Sequence, residues 1–542
     1  MRFDRFTGVD AMKILAKTAF TVISALSCRR FLAICTLIAL WGCATDPKKL
    51  SINLPPPPLP EIQQTEPLRD GRTLYVDQQI SRDSCTDYSP GNRACGKGSD
   101  EAYRRLSDAC SAVEPGGTVV LRAGNYNEPL SPVRSGSAKA PIAFKNLQGE
   151  KVIITGIDNP AVYFRNVSHI VVEGITVSDA VGWARLENAH FNIFKNNQFI
   201  NALARGTTGG FKIVKSHYNQ VADNHFESGN DSIVIQESDR NLIAGNTFRW
   251  ARHSLVSVRC GNFNVIRENE FHNERQKSME IYDCEAVSDA PFKLDATKRN
   301  LVEYNRFIYT RGPSEPHKYN AIQFSGQYGI VRRNLFYDNQ GGGVNFQVYS
   351  AEALHNYGNR VYHNTFYKNR CYAVSASRSM GEIFGDNLVT NNLFWGNEDC
   401  NGYPDQIGVG NSDAVILQHN AIMKPNDDPQ FVSEGVRDLR LKSESPLVDS
   451  GVFLTRTVGN GRGTSMPVED VRYFSDGFGI QGLKGDLIQL ERSRERARIA
   501  AVDYVQGVLI LDKELSWADA QGVALAFEGK APDMGAYEYE NP

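Results

Sequence analysis

Charged and polar side chains spaced along residues 212–283 could act on a sugar that carries a carboxylate. The candidates for a catalytic role are His253, Arg259, Glu237, Glu280 and Tyr282. An arginine can hold a carboxylate through paired, charge-assisted hydrogen bonds, and two carboxyl groups at a suitable separation can hydrolyse a glycosidic bond. Gln236, Arg259 and Tyr282 are separated by 23 residues each, so a repeating structure of that period would bring them together.

A second set of polar residues could bind the substrate. These residues are Lys212, Gln236, Ser257, Gln323, Asn345 and Gln347. Their polar groups suit the many hydroxyls of an extended polysaccharide. The carboxylates of Asp283 and Glu280 could instead hold Ca²⁺, which prefers oxygen ligands, and no other cofactor is expected. A solvated or ion-paired structural role is the alternative for each acid, and Arg259 could pair structurally with Glu280 or Glu237.

A repeat in the sequence predicts the element that positions these residues. Eight copies of Asn-x-Phe recur, with asparagines separated by 27, 22, 23, 36, 29, 30 and 28 residues. The copies are Asn197/Phe199, Asn224/Phe226, Asn246/Phe248, Asn269/Phe271, Asn305/Phe307, Asn334/Phe336, Asn364/Phe366 and Asn392/Phe394. A period in the twenties with strand signals, turn residues and no helical periodicity predicts a right-handed parallel β-helix, an all-β solenoid. Asparagine tolerates left-handed backbone geometry, so we predict an inward asparagine ladder at a tight turn, beside phenylalanines stacked in the core.

One strand of each coil can be followed through the repeat by its apolar pairs. The predicted inward pairs are Phe211/Ile213, Ile233/Ile235, Val256/Val258, Met279/Ile281, Ile322/Phe324, Val344/Phe346 and Val374/Ala376. Because side chains of a strand alternate between its two faces, the residues between and after each pair point outward. Most candidates occupy these outward positions, in columns with coils about 4.8 Å apart, and so predict a flat polar groove.

Several motifs near the start of the repeat point to a known family. They are a helical pattern over Asp100–Val113, the run Pro115-Gly116-Gly117-Thr118-Val119-Val120, Gly124-Asn125-Tyr126 and the Asn-x-Phe coils. Together they resemble the parallel β-helix polysaccharide lyases, notably families 6 and 9, over roughly residues 73–400. The resemblance implies a helix that caps the solenoid and an enzyme that cleaves an acidic polysaccharide.

The resemblance also implies a mechanism, β-elimination. A base removes the proton beside the sugar carboxylate while a cation neutralises that carboxylate. Family 6 lyases carry a lysine base on one coil and an arginine on the next, and Ser254–Gly261 resembles their arginine-bearing strand, which assigns that role to Arg259. Glu237 stands in the place of the lysine, a departure from the family. Two alternatives therefore stay open: a non-catalytic glycan-binding or scaffold β-helix, and a glycoside hydrolase that uses Glu237 with Glu280.

The bulk composition limits the partners. A chain of 542 residues with 41% hydrophobic content can bury a long core. A net charge of −3 and a pI of about 6.4 give no electrostatic case for nucleic acid. We therefore expect a polysaccharide as the partner, and a monomer.

The N-terminal region predicts export and a lipid anchor. Arg29 and Arg30 precede the apolar run Phe31–Trp41, which is too short to cross a bilayer but suits a signal peptide. Leu40-Trp41-Gly42-Cys43 resembles the lipobox of bacterial lipoproteins, which implies that Cys43 becomes the acylated first residue. We therefore expect a protein anchored by lipid in the bacterial cell envelope, either periplasmic or at the cell surface.

The chain divides into four predicted segments. They are a signal peptide at 1–43, a proline-rich tether at 44–70, the β-helix at 71–452, and a small β module with a closing segment at 453–542. We expect the C-terminal module to seal the solenoid, with glycan binding as the alternative. An exported protein favours disulfides. The spacing of the cysteines predicts Cys85–Cys95, Cys260–Cys284 and Cys371–Cys400, and leaves Cys110 unpaired.

Overall fold

The computed structural model describes residues 71–157, 160–204, 209–273, 275–282, 297–309, 319–347, 355–377, 383–410 and 413–539. Cys43, the tether and Asp283 lie outside these residues. None of the helices among them has the length and apolarity needed to cross a membrane. Three long, almost entirely parallel sheets and one short helix show that the predicted β-helix is correct.

Sheet 1 contains, in spatial order, Ser84–Tyr88, Asp100–Tyr103, Thr73–Val76, Thr118–Leu121, Ile142–Asn146, Ile170–Glu173, Ile193–Lys195, Gln220–Ala222, Leu242–Ala244, Val265–Arg267, Leu301–Glu303, Ile330–Arg332, Arg360–Tyr362, Asn387–Thr390 and Val415–Leu417. Sheet 2 contains Gly124–Tyr126, Val152–Thr155, Thr176–Ser178, Gln198–Ile200, His225–Gly229, Thr247–Ala251, Glu270–His272, Arg306–Ile308, Leu335–Tyr337, Thr365–Tyr367, Leu393–Trp395 and Ala421–Ile422. Sheet 3 contains Pro160–Arg165, Gly182–Glu187, Phe211–Val214, Ile233–Gln236, Val256–Arg259, Met279–Tyr282, Ile322–Phe324, Val344–Phe346, Val374–Ala376 and Ile407–Gly408.

Three smaller sheets complete the described structure. The first contains Gly326–Gln327, His355–Tyr357 and Ile383–Gly385, and the second contains Phe431–Ser433 and Asp438–Leu441. The third is antiparallel and forms the C-terminal module, with strands Thr455–Arg456, Gly461–Pro467, Leu487–Leu490, Arg496–Asp503, Val508–Trp517 and Gly522–Leu525.

The asparagine ladder forms as predicted. The amide of Asn224 donates to Asn246 Oδ1 at 3.0 Å, and that of Asn246 donates to Asn269 Oδ1 at 3.0 Å. Phe226 and Phe248 stack with ring centroids 4.9 Å apart, and the stack continues along the core. The ladder asparagines do not themselves adopt the left-handed backbone geometry from which they were predicted. The left-handed residue of each turn is the one before the ladder asparagine, as at Asp223 with φ of 55°.

Two further ladders exist that the Asn-x-Phe pattern did not reveal. One runs through Asn192, Asn219, Asn241, Asn264 and Asn300, between sheets 3 and 1. The other runs through Asn339, Asn369 and Asn397, between sheets 2 and 3. In each, the buried amides satisfy one another from coil to coil, so a tight turn can be buried without unpaired polar groups.

The N-terminal cap differs in detail from the prediction. Only Leu106–Ala112 is helical, whereas Asp100–Tyr103 is a strand that pairs with the first strand of the solenoid. Leu106 and Cys110 of the helix are buried in the main core. The predicted disulfides Cys85–Cys95 and Cys371–Cys400 are present, and Cys110 is a free, buried thiol. Cys260 is disulfide-bonded, and its predicted partner Cys284 lies outside the described residues.

The C-terminal part of the chain covers the sides of two sheets. The antiparallel module packs its core against outward residues of sheet 1, from Leu242 to Leu388. Residues around Phe431, Leu447 and Met534 pack against the outward face of sheet 2. The module therefore lies along sheet 1 rather than over an end of the solenoid.

Candidate functional site

The strand register places the candidate residues in the predicted columns of sheet 3. The first outward column runs through Lys212, Val234, Ser257, Glu280, Gln323, Asn345 and Ser375. The second runs through Val214, Gln236, Arg259 and Tyr282. Parallel pairing holds the members of each column one coil apart, so the site is built on rigid elements.

The centre of the first column is buried, which an ordinary solvated sheet face would not be. Ser257 and Glu280 are fully buried, and Gln323 and Asn345 retain less than a tenth of their exposure. A buried carboxylate is costly unless it is paired. The neighbours of Glu280 therefore decide what this face can do.

Four ionisable side chains form a continuous row beside Ser257, which we call the charged row. His253 Nδ1 lies 2.7 Å from Asp231 Oδ1, and His253 Nε2 lies 3.4 Å from Glu280 Oε1. Lys277 forms an ion pair with Glu280 and donates to Gln323 Oε1 at 2.9 Å. The charged row thus alternates acid, imidazole, acid and ammonium: Asp231, His253, Glu280, Lys277.

Burial divides the charged row into covered and open members. The side chains of Asp231, Glu280 and Lys277 keep 2% or less of their exposure, whereas His253 keeps 33%. His253 is therefore the member that a substrate on this face can reach. Its Nδ1 contact with a carboxylate is the arrangement that fixes an imidazole tautomer and leaves Nε2 as the reactive nitrogen.

The surroundings shift two pKa values in the charged row. Burial raises the pKa of Asp231, but hydrogen bonds from His253 and from the Ser254 hydroxyl at 2.7 Å outweigh it and hold this pKa below its usual value. Burial lowers the pKa of Lys277 to about 8, and the charge of Asp231 offsets part of that effect. Asp231 therefore stays ionised at neutral pH.

Arg259 has no carboxylate partner among the described residues. Its Nε donates to Ser257 Oγ at 3.3 Å, and its guanidinium lies 5.3 Å from the centre of the Tyr282 ring. The alternative of a structural ion pair with Glu280 or Glu237 is therefore wrong for the described part of the chain. Tyr282 is buried beneath it, which keeps the guanidinium at the surface of the groove.

Lys212 adds a second cation to the groove. Burial lowers its pKa, and the positive charges of Arg185 and Arg259 lower it further, while Asp231 raises it. Arg185 precedes Lys212 by one coil in the same column. Lys212 and Arg259 therefore place two positive charges near each other in the groove, although the whole chain is slightly acidic.

The predicted pair of Glu237 and Glu280 is not brought together. The register puts the two residues two coils apart and three positions apart along the strand, which corresponds to about 14 Å between Cα atoms. Glu237 instead lies 3.6 Å from Lys215 Nζ and accepts a hydrogen bond from Gln236. Hydrolysis by these two acids is not supported.

The remaining substrate-binding candidates are partly engaged with each other. Asn345 donates to Gln347 Oε1 at 2.9 Å and to Ser377 Oγ at 3.0 Å. Gln323 accepts from Lys277. The more open positions for a sugar therefore lie around His253, Arg259 and Gln236. Calcium binding by Asp283 and Glu280 stays a prediction, because Asp283 lies outside the described residues.

Asp231 and Lys277 were not among the predicted site residues. Asp231 lies in the turn two positions before the inward residue Ile233, and Lys277 lies two positions before Met279. On the coil between them, Ser254 holds the same position and His253 comes directly before it. Extending the repeat alignment by two residues into this turn would have revealed a third column.

One protein-family model matches this region of the chain. It is described as "Right handed beta helix region" and matches residues 209–394. That range contains the charged row and seven of the eight Asn-x-Phe copies.

A curated relative matches a shorter stretch. It is the uncharacterized protein YwoF of Bacillus subtilis (strain 168), 28% identical over 117 residues. The match covers 20% of this chain and 25% of the relative, so the chain spans about a quarter of the length of the relative it matches.

Solved structures with a similar fold include three carbohydrate-active enzymes. Pectate lyase Pel9A is 14% identical with a TM-score of 0.43, covering 87% of this chain and 97% of its own. A mannuronic acid specific family 6 lyase from human gut microbiota is 16% identical with a TM-score of 0.38, covering 57% and 81%. The catalytic domain of a GH87 α-1,3-glucanase is 13% identical with a TM-score of 0.41, covering 56% and 63%.

Proposed function

We propose that the outward face of sheet 3 binds an acidic polysaccharide and cleaves it by β-elimination. The observation that supports this most is the charged row, which buries two acids and a lysine around one accessible histidine. Perturbed, buried ionisable groups that converge on a groove are typical of active sites. A purely structural cluster would be expected to satisfy all its polar atoms, but Asp231 Oδ2 and Glu280 Oε2 lack hydrogen-bond donors.

His253 is the proposed base. Asp231 orients its ring, so that Nε2 can take the proton beside the sugar carboxylate. The electron pair left on carbon forms a double bond and expels the glycosidic oxygen, which the imidazolium or water protonates.

Arg259 is the proposed partner of the sugar carboxylate. Negative charge grows on that carboxylate as the proton leaves, so a fixed cation stabilises the transition state more than the ground state. Arg259 is available for this role because its side chain hydrogen-bonds to Ser257, lies over Tyr282 and forms no ion pair among the described residues. Lys212 and Gln236 would bind neighbouring sugar units along the same face.

A panel of uronate polysaccharides tests this proposal, with the absorbance of the unsaturated product as the measurement. The parent protein should produce that absorbance on at least one polymer, and Arg259→Lys should lower the rate at least tenfold, because lysine cannot copy a bidentate pair. Arg249→Lys is the matched control, since Arg249 is exposed on sheet 2 of the same coil. New reducing ends without unsaturation would indicate a hydrolase, and binding without cleavage would indicate a glycan-binding protein.

We also propose that Cys43 carries the lipid that anchors the protein in the bacterial cell envelope. The support is the apolar run and the lipobox-like Leu40-Trp41-Gly42-Cys43. Cys43→Ser should release a soluble exported protein, as measured by fractionation of membranes. If the variant stays with the membranes, the lipobox interpretation is wrong.

A further inference from the structure

A second cavity lies on the other side of the solenoid, between sheet 1 and the C-terminal module. Its volume is about 450 Å³, within the range of cavities that hold small ligands. Its charged and aromatic lining consists of Arg267, Glu303, Tyr304, Arg332, Arg333, Lys484, Asp486 and Arg498. Five of these side chains are cationic and two are acidic, so the cavity is locally positive.

The two acids of this cavity are already neutralised. Arg332 donates to Glu303 Oε2 at 2.9 Å and to both oxygens of Asp486 at 2.6 and 2.8 Å. Lys484 is exposed and forms no ion pair within the described residues, and the guanidinium of Arg498 donates to the carbonyl of Gly485 at 2.7 Å. Arg267 forms ion pairs with Glu268 and Glu303, and Arg333 lies 3.7 Å from Glu538. The side chains of Lys484 and Arg498 are therefore the cations of this cavity that have no acidic partner within the described residues.

Two guanidinium groups in the cavity also have unused donors. The Nε atoms of Arg267 and Arg333 are buried and make no hydrogen bond. Both guanidinium groups flank the ring of Tyr304, at 5.7 Å and 6.0 Å from its centre. Tyr304 itself is 43% exposed. The exposed ring of Tyr304 offers an apolar surface for a ligand. The Nε–H groups beside it can donate hydrogen bonds to an anion.

We propose that this cavity binds an acidic sugar unit without cleaving it. The ring of the sugar lies on Tyr304, and its carboxylate is held by Lys484 and the neighbouring arginines. The cavity contains no counterpart of the Asp231–His253 pair, so it is a binding site that could retain the polymer while sheet 3 acts on another part of it. The cavity and its ligand do not depend on the activity proposed for sheet 3.

Acetylation of lysines followed by mass spectrometry tests the site directly. Lys484 is exposed and should react readily, and an oligosaccharide of galacturonate or mannuronate should slow its acetylation at least fivefold. Lys513 is the matched control, because it is an exposed lysine of the same module outside the cavity, and its reaction should not change. Tyr304→Ala should remove the protection of Lys484.

Three outcomes would overturn the proposal. The uronate oligosaccharide could fail to protect Lys484, Tyr304→Ala could leave the protection unchanged, or inorganic phosphate at the same concentration could protect equally, which would indicate a site for any anion. The sheet 3 variant Arg259→Lys should keep the protection of Lys484. The experiments therefore distinguish a wrong proposal for this cavity from a wrong proposal for the active site on sheet 3.

Discussion

Sheets 1 and 3 both bury charge on their outward faces, but they do so in opposite ways. On sheet 1, Arg332 is enclosed by Glu303, Asp486 and the Tyr362 hydroxyl, and every one of these contacts is a hydrogen bond of 3.0 Å or less. On sheet 3, two carboxylate oxygens of the charged row, Asp231 Oδ2 and Glu280 Oε2, have no hydrogen-bond donor. The cluster around Arg332 is therefore fully hydrogen-bonded, whereas the charged row is not.

This difference separates a structural cluster from a site. Sheet 1 uses its charges to fix the C-terminal module, together with an apolar interface that extends from Leu242 to Leu388. Sheet 3 has no such cover within the described residues, and His253, the one accessible member of the charged row, lies at its centre. Buried charge by itself therefore does not identify a functional site, whereas buried charge with unsatisfied hydrogen-bonding atoms does.

The largest expected effect comes from removing a partner of Arg332 on sheet 1. Asp486→Ala should lower the free energy of unfolding by about 3–5 kcal/mol, because it leaves Arg332 buried without its main partner. Thermal and denaturant unfolding measure this change. Asp438→Ala is the control, since Asp438 pairs with the exposed Arg440, and a surface pair is worth about 0–1 kcal/mol. Equal losses for both variants would contradict the distinction.

The next test concerns His253 in the proposed active site on sheet 3. His253→Gln should lower the cleavage rate about 100-fold or more, since a general base typically contributes that much. Glutamine can still hydrogen-bond to Asp231, so the unfolding midpoint should change little. Rates and melting temperatures measured on the same preparations check this. If the rate is retained, His253 is not the base.

A pH titration of stability sharpens the comparison further. Burial raises the pKa of Asp470, but Arg360 and Arg472 outweigh it and lower the pKa to about 2. A carboxyl pKa that is lower in the folded state stabilises the fold above the ordinary value near 3.8 and loses that contribution as pH falls to 2. The contribution is about 2 kcal/mol. Asp470→Asn should flatten the stability profile between pH 4 and 2; an unchanged profile would show that Asp470 is not the group responsible.

The smallest expected effect is also the most specific. Replacing Lys277 by Met together with Glu280 by Gln should leave stability within about 1 kcal/mol of the parent, because removing both members of a buried ion pair is often neutral. Cleavage should nevertheless fall, since the surroundings of His253 change. Chemical unfolding and the cleavage assay check both parts. A large loss of stability would assign this pair to folding rather than to function.

Much of the fold could be predicted because it is local and periodic. The spacing of asparagine and phenylalanine predicts the register, and alternation along a strand predicts which side of Val256–Arg259 faces outward. The position of the C-terminal module could not be predicted, because its packing on Leu242 depends on residues more than 200 positions away. The site was predicted in part: Arg259, Glu280 and His253 lie together, but Lys277 precedes its strand in a turn that alternation does not describe.

The asparagine ladders also determine how such a chain can change in evolution. Each ladder amide donates toward the following coil, so that Asn219 donates to Asn241 and Asn241 to Asn264. Every coil therefore presents a donor to one neighbour and an acceptor to the other. Duplicating or deleting one whole coil would preserve these bonds and change the length by about 4.8 Å. Evolution can thus lengthen or shorten the polymer-binding face one coil at a time, while the packing of the core stays the same.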